Sequence, residues 1–269
     1  MKLSIVIPNW LIEKGGRISE TREAFWFLRH CIDRIKKYTV DFELILVDNG
    51  SEVGVDFMKK EADKYIRNEK NLGFAVACNQ GFAVCEGDFV ACVNNDIFVW
   101  PGWAEALYKT FEDNPDCGVA MPGLMKQTKD ARVALEIEEP DLSSNFDVYG
   151  KDAGFGSCWV IKKDFLEELK KKDGYYFDER MRFAFSEDRD LWRRIRLMGK
   201  ETIRTHRTRV FHMGNVSVNK IDNRKQYTYP NRIYLHKLQE LDTVNNRLTE
   251  KEKDILRDEA QKEYEESLI

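Results

Sequence analysis

The chain has 269 residues, of which 42% are apolar and 33% are charged, and its formal net charge is −4. This length suits one large α/β domain or one domain with an appendage, and the lack of any apolar run near the roughly 18 to 20 residues that span a bilayer predicts a cytoplasmic chain without an integral membrane segment. The negative charge disfavours a general nucleic-acid coat, and six cysteines without C-x-x-C spacing disfavour a zinc site or disulfide bonds.

Strand patterns alternate with amphipathic-helix patterns along the first half of the chain. The predicted strands cover residues 3–7, 42–47, 65–67, 89–93 and 119–121, and the predicted helices cover residues 21–38, 55–65, 75–85 and 103–114. Such an alternation predicts a mostly parallel sheet with right-handed crossovers. The pattern then loosens from Pro122 to Gly150.

The second half predicts a less regular lobe built onto this sheet. It contains a predicted strand over residues 154–161, a helix from Asp164, a helix opening at Ser186 and a strand over residues 210–214. From Asn231 onward the composition is helical and charged, and residues 249–252 match a capping box that starts a last helix. We therefore expect a C-terminal helical tail.

Polar residues follow three of the predicted strands directly. Pro8 and Asn9 follow the first, residues 48–51 follow the second and residues 94–96 follow the strand at 89–93. Ligands of α/β sheets bind at the carboxyl ends of the strands, where Asp48 is placed to accept hydrogen bonds from a ribose or a base. Gly50 would make the tight turn and Ser51 would cap the next helix, although a turn without a ligand selects the same residues.

The segment at residues 71–75 offers a second ligand-facing loop. Gly73 lets the backbone approach a ligand closely, and Asn79 lies on the helix face above it. Alternatively, Asn71 is simply the N-cap of the helix that follows.

Asp96 is an isolated carboxylate at a strand end, preceded by Asn94 and Asn95. One hard oxygen ligand with neutral amides suits a divalent ion that is held jointly with a pyrophosphate, whereas an Asx turn is the structural alternative. His212 is the one histidine with strand-end placement, and its imidazole would add a nitrogen to a shell that Mn²⁺ or Mg²⁺ accepts. A lone histidine is more often structural.

Three carboxylates fall in the first turn of the helix that opens at Ser186, namely those of Glu187, Asp188 and Asp190. Capping by Ser186 and the helix dipole explain them without a function. In the functional interpretation one of them is a general base. Glu187 and Asp188 point about 100° apart, so the two side chains cannot both address one acceptor hydroxyl.

As an ordered set, these motifs resemble those of family 2 glycosyltransferases of GT-A fold. The matching segments are residues 4–9, 47–51, 71–75, 94–96, 154–157, 187–191 and 211–212. The resemblance spans about residues 2–214. It implies a Rossmann-like sheet that binds a nucleotide sugar in residues 1–121, an acceptor and catalytic half in residues 122–218, and a helical extension in residues 219–269.

The resemblance also implies roles for individual residues in an inverting transfer. The donor pocket would be lined by Pro8, Asn9, Asp48, Asn71, Gly73, Asn79, Asn95 and Gly156. Asp96 and His212 would hold Mn²⁺ or Mg²⁺ with the diphosphate, and Asp188 would be the base, with Glu187 beside it as the second catalytic carboxyl.

Two departures from the family pattern affect these expectations. Asn94 stands where many relatives carry a first Asp, so metal affinity is expected to be low or to depend on His212. No Q-x-x-R-W element or membrane helix follows the acidic helix, which favours transfer of a single sugar over processive synthesis. The expected donor is a UDP-hexose, and the expected acceptor is a hydroxyl on a glycan or another molecule.

The acceptor and several other classes stay open at this stage. Residues 189–209 carry eight basic and two acidic residues, which would suit an anionic acceptor, even a modified nucleic-acid base, but more often form a solvated face with internal ion pairs. A nucleotidyltransferase or a non-catalytic nucleotide-sugar-binding protein would share the sheet, whereas a nicotinamide-dependent enzyme would need a G-x-G-x-x-G that is missing here. The acidic tail would pack on the domain or pair with a second copy of the chain.

Overall fold

The computed structural model describes residues 1–12, 18–125, 128–143, 150–151, 156–214 and 224–268. The strands in these ranges are β1 (Leu3–Asn9), β2 (Phe42–Asp48), β3 (Lys64–Arg67), β4 (Phe89–Val93), β5 (Ile97–Phe98), β6 (Cys117–Leu124), β7 (Gly150–Lys151), β8 (Cys158–Lys162) and β9 (Glu201–His212). The helices are α1 (Ile18–Tyr38), α2 (Val55–Glu61), α3 (Phe74–Phe82), α4 (Trp103–Asp113), α5 (Ala131–Glu136), α6 (Lys163–Asp173), α7 (Glu187–Leu197), α8 (Lys225–Leu241) and α9 (Glu250–Glu266).

These strands form one sheet in the order β3-β2-β1-β4-β8-β6-β9-β5, with β7 also paired to β9. The pairs within β3-β2-β1-β4 are parallel, as is the pair of β6 with β9. Strand β8 lies antiparallel between β4 and β6, so the described sheet is parallel in its first half and mixed beyond it. The predicted α/β class is confirmed.

The central strands are buried on both faces. Every residue of β4 is buried, and β1 and β2 each have one partly exposed residue. Parallel strands covered by helices on both faces read as continuous apolar runs, and these are the strands that the sequence predicted best. Helix α3 packs tightly on them because Gly81 has no side chain, and a Cβ there would lie 3.2 Å from Cγ2 of Val47 and closer still to Val6.

The strands β6 and β9 are several residues longer than the sequence pattern predicted. β6 continues through Pro122 to Leu124, because a register shift between Met121 and Gly123 accommodates the proline beside β9. β9 begins at Glu201 rather than near Val210, so the second half of the basic run is a strand that pairs with β6.

The solvated interpretation of the basic run is wrong for Arg193 and Arg194, which are buried in α7. Arg193 Nη2 lies 2.9 Å from Asp190 Oδ1, and Arg194 Nε lies 2.9 Å from Asp190 Oδ2. Arg193 Nη1 also pairs with Asp242 at 2.9 Å, and Arg194 Nη1 with Asp173 at 3.3 Å. The predicted internal ion pairs are therefore present, and they bind α7 to the chain that follows α8.

Asp190→Ala is expected to lower the free energy of unfolding by about 3 to 5 kcal/mol, because it leaves two buried guanidinium groups without their shared carboxylate. Urea unfolding at neutral pH measures the change. Glu112→Ala, which removes an exposed partner of Lys109, is the control and is expected to change the midpoint little. Equal midpoints for the two variants would contradict a buried network that depends on Asp190.

The C-terminal helices pack on each other and on the segment that precedes α7. Tyr234, Leu235 and Leu238 of α8 form a small core with Met181 and Ala260. The predicted capping box at the start of α9 is confirmed by reciprocal hydrogen bonds between Thr249 and Glu252. The predicted boundary at residue 218 lies outside the described residues. In the part of the chain that the structure covers, every helix is too short or too polar to span a bilayer.

Candidate active site

The carboxyl ends of β1, β2 and β4 lie along one edge of the sheet, because these strands are parallel neighbours. Asn9 is directly opposite Asp48, and Val6 is opposite Cys92, two residues before Asn94. Pro8 is half-buried on β1, while Asn9 and Asn95 are buried. The Asn9 Nδ2 group donates to the Ile7 carbonyl at 2.9 Å. The strand-end residues predicted from the sequence thus share one edge.

The loop after β4 and the end of β9 bring Asp96 and His212 together. Ile97 of β5 pairs with His212 in the antiparallel register, which leaves Asp96 Oδ1 3.3 Å from His212 Nε2. The other oxygen of Asp96 accepts a hydrogen bond from the Gly214 backbone N–H at 2.9 Å. Both side chains are largely buried. The carboxylate therefore keeps one oxygen directed at the imidazole.

This pair fits a divalent ion by its donor chemistry. A carboxylate oxygen and an imidazole nitrogen 3.3 Å apart belong to the donor set that Mn²⁺ and Mg²⁺ accept. Among the described residues no cluster of three or more His, Cys, Asp or Glu side chains could hold a metal. An ion at Asp96 and His212 would therefore need oxygens from a diphosphate and from water to complete its shell.

Asp188 lies in the first turn of α7 and packs directly on Gly156, before β8. A Cβ atom on Gly156 would lie 2.8 Å from Cγ of Asp188 and closer still to its Oδ2. The next residue, Ser157, accepts a hydrogen bond from the Asn94 backbone N–H at 2.8 Å. The contact with Gly156 and the hydrogen bond of Ser157 thus connect Asp188 to the loop that carries Asp96.

Glu187 has a different environment from its neighbour. Its side chain is buried, and Oε2 has no hydrogen-bond partner among the described residues. Burial, assisted by the charge of Asp188, raises the pKa of Glu187 to about 8. Burial also raises the pKa of Asp188, although the Arg189 backbone N–H donates to its Oδ1 at 2.8 Å. At neutral pH Glu187 is mainly protonated, and Asp188 is the less buried of the two carboxyl groups.

Glu187→Gln is expected to stabilise the protein above pH 8 and to flatten its stability between about pH 4.5 and 8. In that window the folded state keeps a proton that the unfolded chain releases, so stability falls as the pH rises, by at most about 1.4 kcal/mol per pH unit. Gln has the shape of the protonated acid and does not titrate. Urea midpoints from pH 4 to 9 measure the effect, with wild type as the control. Parallel profiles for the two proteins would contradict a buried, protonated Glu187.

Asp48 is fully buried, and both of its oxygens already have protein partners. Oδ1 accepts from the Ser51 backbone N–H at 2.7 Å, and Oδ2 accepts from the Tyr65 hydroxyl at 2.6 Å and from the Arg67 guanidinium. Tyr65 and Arg67 therefore cover this carboxylate. Both belong to β3, and no local pattern in the sequence pointed to them.

The predicted capping role of Ser51 is wrong. Helix α2 starts after Gly54, which adopts a left-handed conformation and makes no side-chain cap. The Ser51 hydroxyl instead accepts a hydrogen bond from the Leu11 backbone N–H at 2.9 Å. The predicted tight turn at Gly50 is confirmed by its φ of 81°. Ser51 therefore ties the β1 and β2 loops together.

The loop at residues 71–73 is held mainly by protein contacts. Asn71 Oδ1 accepts from Asn49 Nδ2 and from the Gly73 N–H, both at 2.8 Å. The N-cap of α3 is Gly73, not Asn71, and its φ is 98°. A Cβ on Gly73 would lie 3.0 Å from the backbone of Phe183. Its lack of a side chain thus allows the segment before α7 to approach.

Asn79 has a structural role that the sequence did not predict. Its Nδ2 donates to the Phe177 carbonyl and to Glu179 Oε1, both at 2.9 Å, and its Oδ1 accepts from the Phe177 N–H at 2.8 Å. These bonds anchor residues 177–179 on α3. The amide that was predicted to contact the donor is engaged by the protein.

The 70–73 loop and the segment before α7 together line a cavity of about 300 Å³. The side chains and backbone that line it include Lys70, Asn71, Gly73, Glu179, Arg182 and Phe183. Neither Lys70, three residues after β3, nor Arg182 was selected from the sequence. The hydrogen bonds that hold residues 177–183 on α3 place Arg182 at the cavity that Lys70 also lines.

A comparison with known protein families decides the assignment. The model of the family described as Glycosyl transferase family 2 matches residues 22–170, more than half of the chain. The chain belongs to this family. The resemblance to this family is therefore confirmed, and the match includes the motif segments at residues 47–51, 71–75, 94–96 and 154–157.

Curated relatives of this family 2 chain come from bacteria and archaea. The uncharacterized glycosyltransferase EpsJ of Bacillus subtilis (strain 168) is 24% identical over 197 residues, which cover 68% of this chain and 53% of EpsJ. The glucosyl-dolichyl phosphate glucuronosyltransferase of Haloferax volcanii is 29% identical over 128 residues, which cover 46% of this chain and 38% of that protein. The chain thus spans about half or less of the length of these relatives.

Solved structures show the fold of this family 2 member. S. aureus TarS 1–349 in complex with UDP-GlcNAc has a TM-score of 0.58 at 16% identity, with 97% of this chain and 71% of TarS covered. The mannosyltransferase PcManGT from Pyrobaculum calidifontis, in complex with GDP-Man and Mn²⁺, has a TM-score of 0.56 at 16% identity, with 96% and 68% covered. The GT-A fold expected from the motifs is confirmed over nearly the whole chain.

Proposed function

We propose that this family 2 member is an inverting glycosyltransferase that moves a single sugar from a nucleotide-diphosphate sugar to an acceptor hydroxyl. The observation that carries the proposal is the packing of Asp188 on Gly156. The residue after Gly156, Ser157, accepts a hydrogen bond from Asn94 in the loop that carries Asp96. In this proposal Asp188 is the base, and Asp96 and His212 are the residues that would hold the divalent ion whose charge compensates the diphosphate. A UDP-hexose is the favoured donor, with the GDP-sugar of PcManGT as the alternative to be tested.

The residues divide the chemistry between them. Asp188 accepts the proton of the acceptor hydroxyl as the oxygen attacks the anomeric carbon, so a single displacement inverts the configuration. Glu187 stays protonated beside it, which avoids a second negative charge in the same pocket. Asp96 and His212 would hold Mn²⁺ or Mg²⁺, which when bound supplies positive charge for the diphosphate leaving group. No covalent intermediate is needed.

The pH dependence of transfer follows from the state of the base. Burial raises the pKa of Asp188, and the base acts in its deprotonated form. The transfer rate should therefore fall as the pH drops through this raised pKa. Since Glu187 begins to ionise near pH 8, the additional charge would oppose further gains at alkaline pH.

The proposed activity is tested by incubating the protein with a panel of UDP-, GDP- and dTDP-sugars in the presence of Mn²⁺ or Mg²⁺. Slow release of the nucleoside diphosphate from one donor, without an acceptor, is the expected result. Binding of a donor without any release, in the presence of an acceptor library of glycans, would instead indicate a non-catalytic nucleotide-sugar-binding protein. Release of pyrophosphate from a nucleoside triphosphate and a sugar phosphate would indicate a nucleotidyltransferase.

Asp96→Asn is expected to lower the Mn²⁺-dependent affinity for the donor at least about tenfold, because direct ligands contribute no less than the outer partners that are worth 10- to 100-fold in metal affinity. The amide oxygen can still accept the Gly214 N–H bond, so the fold is preserved. Calorimetric titration with the donor, with and without Mn²⁺, measures the loss. Asp164→Asn, at an exposed position of α6, is the matched control for a lost carboxylate. An unchanged metal dependence in Asp96→Asn would exclude Asp96 as a ligand.

Contacts of the basic run do not favour a nucleic-acid acceptor. Arg193 and Arg194 are buried in ion pairs, Lys200 lies 3.6 Å from Asp116, and Arg207 lies 2.6 Å from Asp113. Much of the positive charge is therefore neutralised within the fold. A glycan or another hydroxyl-bearing molecule is the acceptor that we propose, and pairing of two chains through α8 and α9 stays a prediction.

A further inference from the structure

The segment that leads into α7 has an unusual backbone. Phe183, Phe185 and Ser186 have φ angles of 61°, 76° and 81°, and none of them is a glycine. Residues with a Cβ adopt this left-handed region rarely, and three such residues among four consecutive positions require support from the surrounding structure. Asp188 follows two residues after this segment.

The support comes from one side chain of the C-terminal extension. Asn231 of α8 is fully buried, and its Nδ2 group lies 2.9 Å from the carbonyl of Arg182, 3.1 Å from that of Ala184 and 3.1 Å from that of Phe185. Three carbonyls thus converge on one NH₂ group, and because it has two hydrogens, one of them is shared between two carbonyls. The carbonyl of Phe183, the remaining member of the series, accepts from the Phe74 N–H of α3 at 2.7 Å.

A ring contact reinforces the same junction. The Phe183 ring lies against the Tyr227 ring, also on α8, with centroids 4.1 Å apart. Helix α8 therefore holds the segment through both its backbone and a side chain. The ion pair of Arg193 with Asp242 joins α7 itself to the chain that follows α8.

The backbone of this segment determines where α7 starts. Ser186 is at the N-cap position, but it makes no side-chain cap, contrary to the sequence expectation. Its carbonyl accepts the Asp190 N–H at 2.9 Å, which is the first helical bond of α7. With no side-chain cap, the path of residues 182–186 fixes the direction in which Asp188 leaves the helix toward Gly156.

We propose that Asn231 is a positioning residue for Asp188: by holding the carbonyls of residues 182, 184 and 185, it sets the first turn of α7 and with it the place of the base. The kinetic part of this inference rests on the proposed function, whereas the structural part does not. Asn231 lies outside both the family match, which ends at residue 170, and the motif resemblance, which ends near residue 214. In this proposal the C-terminal extension contributes a residue that positions the base.

Asn231→Ala, in the full chain, tests the proposal. Tyr234→Phe is the matched control, since it removes another buried hydrogen bond of α8, from the Tyr234 hydroxyl to Asp178 Oδ2 at 2.9 Å, without touching residues 182–186. Hydrogen exchange of the amides in residues 183–190 is expected to accelerate in Asn231→Ala and not in Tyr234→Phe. Since a displacement of about 1 Å can cost about 100-fold in rate, we expect kcat to fall about 10- to 100-fold with the donor KM unchanged.

The two measurements separate the possible failures. Wild-type exchange in Asn231→Ala would overturn the proposal whatever the activity is, and so would a wild-type kcat. If the wild-type protein transfers no sugar but Asn231→Ala exchanges faster in residues 183–190, the structural role of Asn231 would be confirmed and only the proposed function would be refuted. If Asn231→Ala does not fold, Asn231→Ser, which keeps one donor, is subjected to the same comparison and the same two criteria.

Discussion

Asp188→Asn is expected to reduce the rate of sugar transfer by about 10² to 10⁴ while leaving donor binding unchanged, which is the usual effect of removing a positioned general base. Asparagine has nearly the same shape as aspartate, so it can lie on Gly156 and still accept the Arg189 backbone N–H. It cannot take a proton from the acceptor. The loss should therefore appear in kcat and not in the dissociation constant of the donor.

Asp164→Asn is the matched control for Asp188→Asn, because Asp164 is also in the first turn of a helix, at the start of α6. The rate of nucleoside diphosphate release in the presence of acceptor, together with donor binding by calorimetry, is measured for both variants. A wild-type transfer rate in Asp188→Asn would assign the base to another group. A similar loss in Asp164→Asn would trace the effect to helix termini in general.

The strands of the sheet could be predicted where a local apolar pattern determines them. The apolar runs of β1, β2 and β4 are continuous because both faces of these strands are covered, and the polar residues that follow them mark the edge correctly. β9 was predicted only at its end, because residues 201–209 are rich in arginine and form a strand only through pairing with β6. Pairing between distant segments leaves no local periodicity to detect.

The candidate site was predictable in its outline and not in its details. Strand-end placement pointed to Asp96 and His212, and the structure brings the two side chains within 3.3 Å, although their metal role stays a prediction. Sequence could not reveal that Tyr65 and Arg67 cover Asp48, since these contacts arise from the pairing of β2 with β3. The role of Asn231 could not be predicted either, because its hydrogen-bond partners lie about 50 residues earlier in the chain.

The acidic turn of α7 illustrates why residue types alone did not separate the carboxylates. Dipole and capping arguments treat the first-turn acids alike. In the fold, Asp190 forms ion pairs with two buried arginines. Glu187 is buried, which raises its pKa to about 8, and Asp188 contacts Gly156. Burial and partners, which depend on packing, therefore distinguish an ion-pair member, a protonated acid and a candidate base.

Gly156→Ala is expected to lower the transfer rate about 100-fold with little effect on donor binding, because the new Cβ would lie 2.8 Å from Cγ of Asp188 and must displace this proposed base. Gly174→Ala is the control, since that glycine has a positive φ and open space around it, so the substitution strains the backbone away from the site. Transfer rates and thermal midpoints are measured for both.

The double variant Gly156→Ala/Asp188→Asn tells whether the glycine acts through the base. If its only effect is to move the carboxylate, adding Gly156→Ala to Asp188→Asn removes nothing further, and the two losses are strongly non-additive. Fully additive losses would mean that Gly156 serves transfer by a separate route, such as contact with the donor, which is the role that the motif resemblance implied for it. The cycle therefore discriminates between a glycine that makes room for the base and a glycine that lines the donor pocket.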